Sequence, residues 1–254
     1  MIKRKTPTVL RDMPLESLIR ALPSAALVMD YGCFGWTIHA AARQLGRDDV
    51  RHSGTDIAPP PHVPEGADFF LTDRDSNKID CADDLFDLVV ASHVMEHVSQ
   101  PVTLFAELVR ICKPGGQIYI EAPSDRSLQV RGSGDPENHA FLSFWDDPTH
   151  VRPWTPAAFY RLAVSFGCRP LACRYMGSWR DTLLYPLKRV QAWLCDDGDA
   201  LTWTTWQAKR WICYTVIEKP QDVRGTPAYR YISLKNIPRG IDNALNLYRT
   251  MKGE

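Results

Sequence analysis

The sequence predicts an α/β protein with a doubly wound parallel sheet. Two observations predict this class: short apolar runs alternate with helical patterns from residue 26 onward, and the first run ends at an acidic residue followed by a glycine-containing turn. Strands that alternate with helices pair in parallel and are joined by right-handed crossovers. The length of 254 residues and the hydrophobic content of 44% suit one large domain with insertions.

Periodicity and chain-breaking residues place the elements in order. Continuous apolar runs predict strands buried on both faces, apolar residues three and four apart predict helices, and glycine or proline ends either element. These criteria predict strands at 26–29, 50–56, 69–71, 86–91 and 117–122, and helices at 37–45 and 101–112, the latter stopped by 113–116. Further along they predict a helix at 155–166 and strands at 169–175 and 210–218.

Two segments interrupt this alternation. Residues 123–156 are rich in Gly, Pro, Asp and His with interleaved aromatics, and they are too long for a simple connection, so we expect a substrate loop. The segment 177–208 separates the last two strands and is rich in tryptophan. Its tryptophans suggest a lid or a partner surface, although core packing is the commoner role: they are Trp179, Trp193, Trp203 and Trp206. The tail, 221–254, contains one amphipathic helix candidate at 241–251.

Charge and hydropathy exclude several classes of partner. Thirty basic residues balance thirty acidic ones, so no overall field attracts nucleic acid or anionic lipid, and we expect a small or neutral substrate. No apolar stretch approaches the roughly 18 residues of a membrane span, and no signal-type apolar run follows the basic start. We therefore expect no integral membrane segment and a cytoplasmic location. The seven cysteines form no CxxC pair, which suits reduced thiols.

Acidic residues and glycines at the ends of the first two strands form a nucleoside-binding pattern. Ligands of open α/β sheets bind beyond the carboxyl ends of the strands, where glycine lets the backbone approach and a carboxylate accepts ribose hydroxyls. Gly32 and Gly35 would form the turn, and Asp56 would bind the ribose. The turn lacks the third glycine of the dinucleotide fingerprint, which disfavours a nicotinamide enzyme.

Four segments together resemble the cofactor half of the Rossmann-like, class I S-adenosylmethionine-dependent methyltransferases: LVMDYGCFGW, GTDI, DLFDLVVASHVMEHV and LVRICKPGGQIYIEAPS. The resemblance covers 20–125 and continues more weakly to about 220. It implies S-adenosylmethionine as cofactor and a sheet of about seven strands whose last two form an antiparallel hairpin, here separated by the helical, aromatic insertion. A methyltransferase domain at 1–220 and a separate tail follow. A later stretch, FWDDPTHVRPWTPAAFYRLAVSFG, is similar to a segment of methyltransferases associated with glycan or polysaccharide biosynthesis.

The resemblance also assigns cofactor contacts. The methionine moiety would be lined by Asp30, Gly32, Cys33 and Gly35; Asp56 would bind the ribose, Ile57 would flank the adenine, Asp73 would contact the adenine amino group, and Ser92 and His93 would face the sulfonium. Asp30 and Gly32 also suit purely structural roles as a helix cap and a turn. Phe34 and Trp36 replace the second and third glycines of the family's turn, so Phe34 either crowds the methionine end or contributes only its backbone.

A hydroxyl acceptor requires a base, and histidine suits this role near neutral pH. His150 is our candidate for the base or a substrate ligand, with Asp147 orienting it and Arg152 binding a polar or anionic group. The alternative is that this segment forms only a turn and a helix cap. His139 is a second candidate, Trp145 would stack on a sugar, and His97 either faces the substrate or bonds to backbone at a helix start.

Two alternatives compete with an O-methyltransferase acting on a sugar, glycan intermediate or other small molecule. His93, Glu96 and His97 spell H-x-x-E-H, a zinc-peptidase signature, whose third ligand would come from Glu107, Glu121, Glu137 or Glu218. The position of the motif directly after a buried strand favours the methyltransferase, in which Glu96 packs or pairs locally, and we assign no metal ligands. The other alternative, motivated by the altered turn, is a methyltransferase-like binding module without catalysis.

Overall fold

The computed structural model describes residues 14–132, 142–195 and 197–221. The strands are β1 (Leu27–Tyr31), β2 (Arg51–Asp56), β3 (Asp68–Leu71), β4 (Phe86–Ser92), β5 (Cys112–Pro123), β6 (Arg169–Tyr175) and β7 (Ile212–Glu218). The helices are α1 (Pro14–Ala21), α2 (Thr37–Gln44), α3 (Pro101–Ile111), α4 (Pro156–Ser165), α5 (Trp179–Leu194) and α6 (Gly198–Lys209), with short 3-10 helices at Asp125–Gln129 and Phe144–Asp146.

The seven strands form one sheet in the order β3-β2-β1-β4-β5-β7-β6. The pairs β1 with β2, β1 with β4, β2 with β3 and β4 with β5 are parallel, whereas β7 runs antiparallel to both β5 and β6. The order reverses between β1 and β4, which opens a crevice at the carboxyl ends of these strands. The predicted fold class is confirmed, including the antiparallel hairpin and the helical insertion between β6 and β7.

Alternating residues of the central strands supply two apolar cores. On one face, Met29 and Val89 pack in a cluster that includes buried residues of α3 and α4. On the other face, Val28 and Leu88 pack with residues of α1 and α2. Successive side chains of a strand point to opposite faces, so the helices cover both sides of the sheet.

Prolines and a bulge fix several element boundaries. Pro101 and Pro156 lie in the first turns of α3 and α4, where the missing amide has no helical partner to lose. The side chain of Thr155 caps α4 by accepting a 3.0 Å hydrogen bond from the amide of Ala158. Residues 113–116, expected to stop the preceding helix, lie within β5, where the register against β4 shifts and the segment bulges out.

The insertion divides its tryptophans between two environments. Trp206 on α6 stacks on Trp211, with ring centroids 4.3 Å apart. Trp179 and Trp193 on α5 are 66% and 75% exposed, so the expectation of core packing is wrong for these two. No helix within the described ranges is both long and apolar enough to cross a membrane. The predicted tail helix at 241–251 lies outside the described residues.

One helix, α1, was not predicted from the sequence. Its residues Leu15 and Ile19 are 1% and 0% exposed and pack in the same core as α2. Glu16 and Arg20 form an ion pair on its outer side, with 2.7 Å between the carboxylate oxygen and the guanidinium. The packing of two aliphatic side chains therefore holds α1 on the sheet.

The variant Ile19→Ala should lower the free energy of unfolding by about 2–5 kcal/mol, because it leaves a cavity in a closed core. Urea denaturation followed by circular dichroism measures this change. Ser17→Ala, at an exposed position of the same helix, serves as the control and should change stability by less than about 0.5 kcal/mol. Equal stability of the two variants would show that α1 does not pack on the sheet.

Candidate active site

The turn after β1 lies against the segment after β4. Gly32 has a φ of +89°, and a Cβ at this position would lie 2.6 Å from Cγ2 of Val94. Glycine alone tolerates both the left-handed backbone and this close approach. The amides of Gly32 and Cys33 donate to the carbonyl of Thr55 at 2.8 and 3.1 Å, which fixes the turn on β2.

Asp30 is a buried carboxylate with one unsatisfied oxygen. The residue is 4% exposed, and its Oδ2 has no hydrogen-bond partner among the described residues. Burial raises the pKa of Asp30 to about 7; a hydrogen bond from the backbone of Ile38 in α2 lowers it, and the charge of Asp56 raises it further. The helix-cap role expected as an alternative thus accounts for only part of this carboxylate, and a ligand could satisfy the rest.

The two residues that replace family glycines behave differently. Phe34 is 60% exposed, which favours the alternative in which only its backbone contributes. Trp36 is buried and has a φ of +50°, a left-handed conformation that favours glycine. Space for its indole comes from Gly54, where a Cβ would lie 2.7 Å from the Trp36 ring and 2.5 Å from Sγ of Cys33. Trp36 therefore keeps a glycine-like backbone by burying its side chain against β2.

The side chain of Cys33 is not a nucleophile. Burial raises the pKa of its thiol to about 12, with further increases from the charges of Asp30 and Asp56. Its sulfur packs against Gly54, so only the backbone of Cys33 is left to line the candidate cofactor site.

Asp56 ends β2 at the same edge of the sheet as Asp30. Parallel pairing places Asp30 opposite Gly54, two residues before Asp56. The Oδ1 of Asp56 accepts a 2.7 Å hydrogen bond from the amide of Ile57, whose side chain is 51% exposed. A carboxylate and an exposed apolar side chain thus lie side by side at the end of β2, in keeping with the ribose and adenine contacts that the resemblance implies.

Asp73 organises the loop after β3. Its Oδ1 accepts hydrogen bonds from the amides of Asp75 and Ser76 at 2.9 and 2.8 Å, and these bonds hold its pKa below the usual range. The hydroxyls of Thr55 and Thr72, 2.6 Å apart, tie the start of this loop to β2. Any adenine contact by Asp73 would therefore come from its other oxygen.

A buried hydrogen-bond network follows from the register of β4 and β5. Ser92 lies opposite Glu121, and its hydroxyl donates to Oε1 of that carboxylate. The hydroxyl of Tyr119 donates to Oε2 at 2.6 Å, so both oxygens of the buried Glu121 are satisfied. Ser92, expected to face the sulfonium, is thus held by a partner that sequence reasoning did not connect with it.

His93 follows β4 with a left-handed φ of +54°. Its Nδ1 lies 3.1 Å from Oε1 of Glu96, and its ring lies 5.8 Å from that of Trp206 on the insertion. Burial lowers the pKa of His93, but the hydrogen bond to Glu96 and the charges of Glu96 and Glu121 outweigh it, so the pKa is raised. A positively charged imidazole is thereby stabilised at the end of β4.

The H-x-x-E-H motif does not form the helix that a zinc peptidase requires. Residues 93–97 form a turn between β4 and α3, whereas the peptidase signature places two histidines on one helix face. His93 instead bonds to Glu96 within the turn. His97 is likewise no helix-start residue bonded to backbone: its Nδ1 lies 2.8 Å from the hydroxyl oxygen of Thr149.

The substrate segment returns to this turn and brings two histidines together. The amide of Val151 donates to the carbonyl of Glu96 at 2.7 Å. The rings of His97 and His150 lie with centroids 4.9 Å apart. Two candidate residues separated by more than fifty positions in the sequence thus form one cluster.

His150 is held by Phe144, not by Asp147 as predicted. Its Nδ1 donates to the carbonyl of Phe144 at 2.7 Å, and its ring stacks on the Phe144 ring at 4.6 Å. The distance from its Nε2 to Oδ2 of Asp147 is 3.8 Å, too long for a hydrogen bond. Asp147 instead accepts hydrogen bonds at Oδ1 from the amide and the hydroxyl of Thr149 at 2.8 and 2.6 Å, as in the turn alternative.

Two other predicted substrate residues, Trp145 and Arg152, are exposed. Trp145 is 67% exposed, and Arg152 donates from Nη2 to the carbonyl of Ser99 at 3.0 Å. His139 lies outside the described residues. Glu96 is the residue whose importance the sequence did not reveal: it is 0% exposed, and its Oε2 has no partner among the described residues. Local pairing of Glu96 was anticipated, but its approach to His150 depends on the returning segment.

A glycine turn and two carboxylates at the reversal point of a mainly parallel sheet are features typical of α/β proteins that bind nucleosides. A family model described as a methyltransferase domain matches residues 5–172. The chain therefore belongs to this methyltransferase-domain family. A search of curated protein sequences gives no match.

Solved structures share the fold at low sequence identity. A chain of the complex between the Haloferax volcanii Trm112 methyltransferase activator and a methyltransferase has a TM-score of 0.59 and 17% identity, covering 81% of this chain and 88% of that chain. An S-adenosylmethionine-dependent methyltransferase from Archaeoglobus fulgidus has a TM-score of 0.54 and 18% identity, covering 81% of this chain and 91% of that chain. A third structure is Burkholderia thailandensis 1,6-didemethyltoxoflavin-N1-methyltransferase with bound 1,6-didemethyltoxoflavin and S-adenosylhomocysteine. It has a TM-score of 0.53 and 15% identity, covering 82% of this chain and 77% of that chain.

The buried carboxylate of Asp30 predicts a specific pH dependence of stability. Because folding raises its pKa from 3.8 to about 7, its contribution to stability is lost as the pH rises through this window and stays lost above it. Asp30→Asn should therefore be more stable than the parent at pH 8, by at most a few kcal/mol since one pKa unit corresponds to about 1.4 kcal/mol. The difference should shrink toward pH 4.

Urea denaturation between pH 4 and pH 8 measures this difference. Asp68→Asn, at the exposed start of β3, is the matched control and should follow the parent at every pH. If Asp30→Asn were the less stable protein at pH 8, the carboxylate would be better satisfied than its surroundings indicate.

Proposed function

We propose that the protein transfers a methyl group from S-adenosylmethionine to a hydroxyl of a sugar, a glycan intermediate or another small acceptor. Residues 20–125 would supply the cofactor half and 123–156 the substrate segment of a domain spanning 1–220. The observation that carries this proposal is the His97 and His150 pair, which the turn after β4 and the substrate segment bring to a ring-centroid distance of 4.9 Å, with the Nδ1 atom of each ring hydrogen-bonded.

The residues of the crevice fit the cofactor. The unsatisfied oxygen of buried Asp30 and the close backbone approach at Gly32 suit the methionine moiety, while Asp56 and Ile57 suit the ribose and the adenine. When bound, S-adenosylmethionine supplies a methyl group already activated by its sulfonium. The glycine-like backbone of Trp36 weighs against the alternative of a binding module without catalysis.

Hydrogen bonds fix the tautomers of both imidazoles. The carbonyl of Phe144 can only accept, so in the neutral imidazole Nδ1 of His150 carries the hydrogen and Nε2 carries the lone pair. The hydroxyl of Thr149 donates to Asp147 and accepts from Nδ1 of His97, so the same assignment holds for His97. Either Nε2 is therefore able to take a proton from an acceptor hydroxyl.

The surroundings of this pair suit a polar acceptor with an apolar face. Trp145 contacts Phe144 edge to face, with centroids 5.1 Å apart, and leaves most of its surface exposed. An exposed indole can stack on the apolar face of a sugar. Arg152, exposed on the same returning segment, would bind a polar or anionic substituent.

Loss of the Asp56 carboxylate, which would bind the ribose hydroxyls, should weaken cofactor binding. Titration calorimetry with S-adenosylhomocysteine should give one site per chain, with Asp56→Ala binding at least about tenfold more weakly, since a hydrogen bond to a charged group contributes about 1.5–3 kcal/mol. Asp68→Ala provides the control, because Asp68 begins β3 opposite Ser53, at the other end of the strand pair from Asp56. No saturable binding by folded parent protein would remove the proposal.

Removal of the candidate base should affect turnover and leave cofactor binding intact. Release of S-adenosylhomocysteine can be followed with a panel of methyl glycosides and nucleotide sugars as acceptors. On any acceptor that is methylated, His150→Ala should lower kcat about 10²- to 10⁴-fold, while the affinity for S-adenosylhomocysteine stays within about twofold. His62→Ala, at an exposed loop histidine, is the control. Full activity of His150→Ala would exclude His150 from the chemistry.

A further inference from the structure

We infer that Glu96, His97 and His150 form a binding site for a divalent transition-metal cation. One potential ligand atom from each residue lies within 4.8 Å of the others. The inference deepens the proposed function, since such a cation would hold the acceptor hydroxyl, but the binding of the cation can be measured without any methyl acceptor.

The first argument is that the cluster contains acceptors without donors. Both Nδ1 hydrogens are committed, that of His97 to Thr149 and that of His150 to Phe144. The remaining lone pair of His97 approaches a carboxylate, with 4.0 Å between its Nε2 and Oε1 of Glu96, and one ring nitrogen of His150 lies within 4.8 Å of the other two ligand atoms. Lone pairs that converge in this way repel one another unless a proton or a metal ion lies between them.

The second argument is the burial of Glu96. This residue is 0% exposed, and its Oε2 has no hydrogen-bond partner among the described residues. Its Oε1 lies 3.1 Å from Nδ1 of His93, which is its one hydrogen-bond partner in the described part of the chain. Buried carboxylate oxygens in proteins are paired or bind metals. His93 provides a partner for Oε1, and a cation at the cluster would provide one for Oε2.

A third argument comes from the partners that hold the imidazoles. Histidines that bind metals through one nitrogen commonly donate the other N–H to a carbonyl or another oxygen acceptor, which fixes the ring. Phe144 and Thr149 provide such acceptors. Asp147 adds negative charge, with Oδ2 3.8 Å from Nε2 of His150.

The donor set selects the class of cation. Two imidazoles and one carboxylate suit zinc or iron(II) and leave coordination positions open for a substrate oxygen. Metal–ligand bonds of about 2.0–2.2 Å bring tetrahedral ligands to about 3.3 Å from one another, so binding must draw the cluster together by about 1–1.5 Å. His97 lies on a turn with 35% of its side chain exposed, which permits this movement.

The cation would activate the acceptor. With the cation bound, His97 and His150 would act as ligands in place of the base role proposed above. A divalent cation lowers the pKa of a bound hydroxyl, so the proton would pass to solvent at neutral pH. The acceptor oxygen then forms the new bond to the methyl carbon while the carbon–sulfur bond breaks and its electron pair stays on sulfur. This arrangement differs from the peptidase motif because it uses Glu96 as a ligand and replaces His93 with His150.

The test is direct metal titration of the full chain after removal of bound metal by a chelator and dialysis. Calorimetry with zinc chloride should show one site, and cobalt chloride should give visible absorption typical of nitrogen and oxygen ligands without thiolate. His150→Ala and Glu96→Gln should each weaken zinc binding at least tenfold. His62→Ala and Cys195→Ser, which remove an exposed imidazole and the exposed thiol, should leave it unchanged.

Three outcomes would overturn the inference: no saturable zinc binding, unchanged affinity in Glu96→Gln, or loss of binding in Cys195→Ser. Glu96→Gln keeps the shape of the side chain and decides the question if His150→Ala fails to fold. Titration of the same samples with S-adenosylhomocysteine separates this inference from the proposed function. Zinc binding without cofactor binding would support the metal site and refute the methyltransferase proposal, and the reverse result would do the opposite.

Discussion

The reversal of strand order between β1 and β4 is the constraint on which the candidate site depends. Because the crossovers leave these neighbouring strands in opposite directions, the crossover helices diverge and leave a crevice beyond the carboxyl ends of the two strands. Gly32 after β1 and Val94 after β4 meet in that space, so a side chain at position 32 would close the crevice. The turn after β1 and the turn after β4, and with them the carboxylates that they carry, therefore lie within one contiguous region.

Three buried carboxylates at this edge differ in how their oxygens are satisfied. Glu121 accepts hydrogen bonds at both oxygens, from Ser92 and Tyr119, and thereby joins β4 to β5. Asp30 and Glu96 each keep one oxygen without a partner among the described residues. Buried polar groups are nearly always paired in folded proteins, so the unsatisfied oxygens of Asp30 and Glu96 are the positions at which we propose ligands, whereas the satisfied Glu121 holds the sheet together.

The strands and most helices could be predicted because their signals are local. Runs such as 86–91 show continuous apolar character, and proline or glycine marks the ends of α3 and α4. The helix α1 was missed because only Leu15 and Ile19 of its eight residues are buried, which gives too short a pattern to detect. Likewise, the sequence indicated residues 113–116 as chain breakers but not that they bulge within a strand, since that depends on the register against β4.

The candidate site was predictable only as far as its parts are adjacent in the sequence. The turn after β1 and Asp56 follow from strand ends, whereas the partners of His150 do not. Asp147 precedes it and was the natural choice, yet the carbonyl of Phe144 orients the ring, and a backbone carbonyl carries no sequence signal.

The ring of His150 is oriented by Phe144 and not by Asp147, and this difference has a chemical consequence. A carboxylate bonded to Nδ1 would stabilise a positively charged imidazole, as Glu96 does for His93. A neutral carbonyl in that position fixes the tautomer without adding this charge. With its Nδ1 hydrogen committed to this carbonyl, the neutral form of His150 presents its lone pair at Nε2, which is the atom that both a general base and a metal ligand would use.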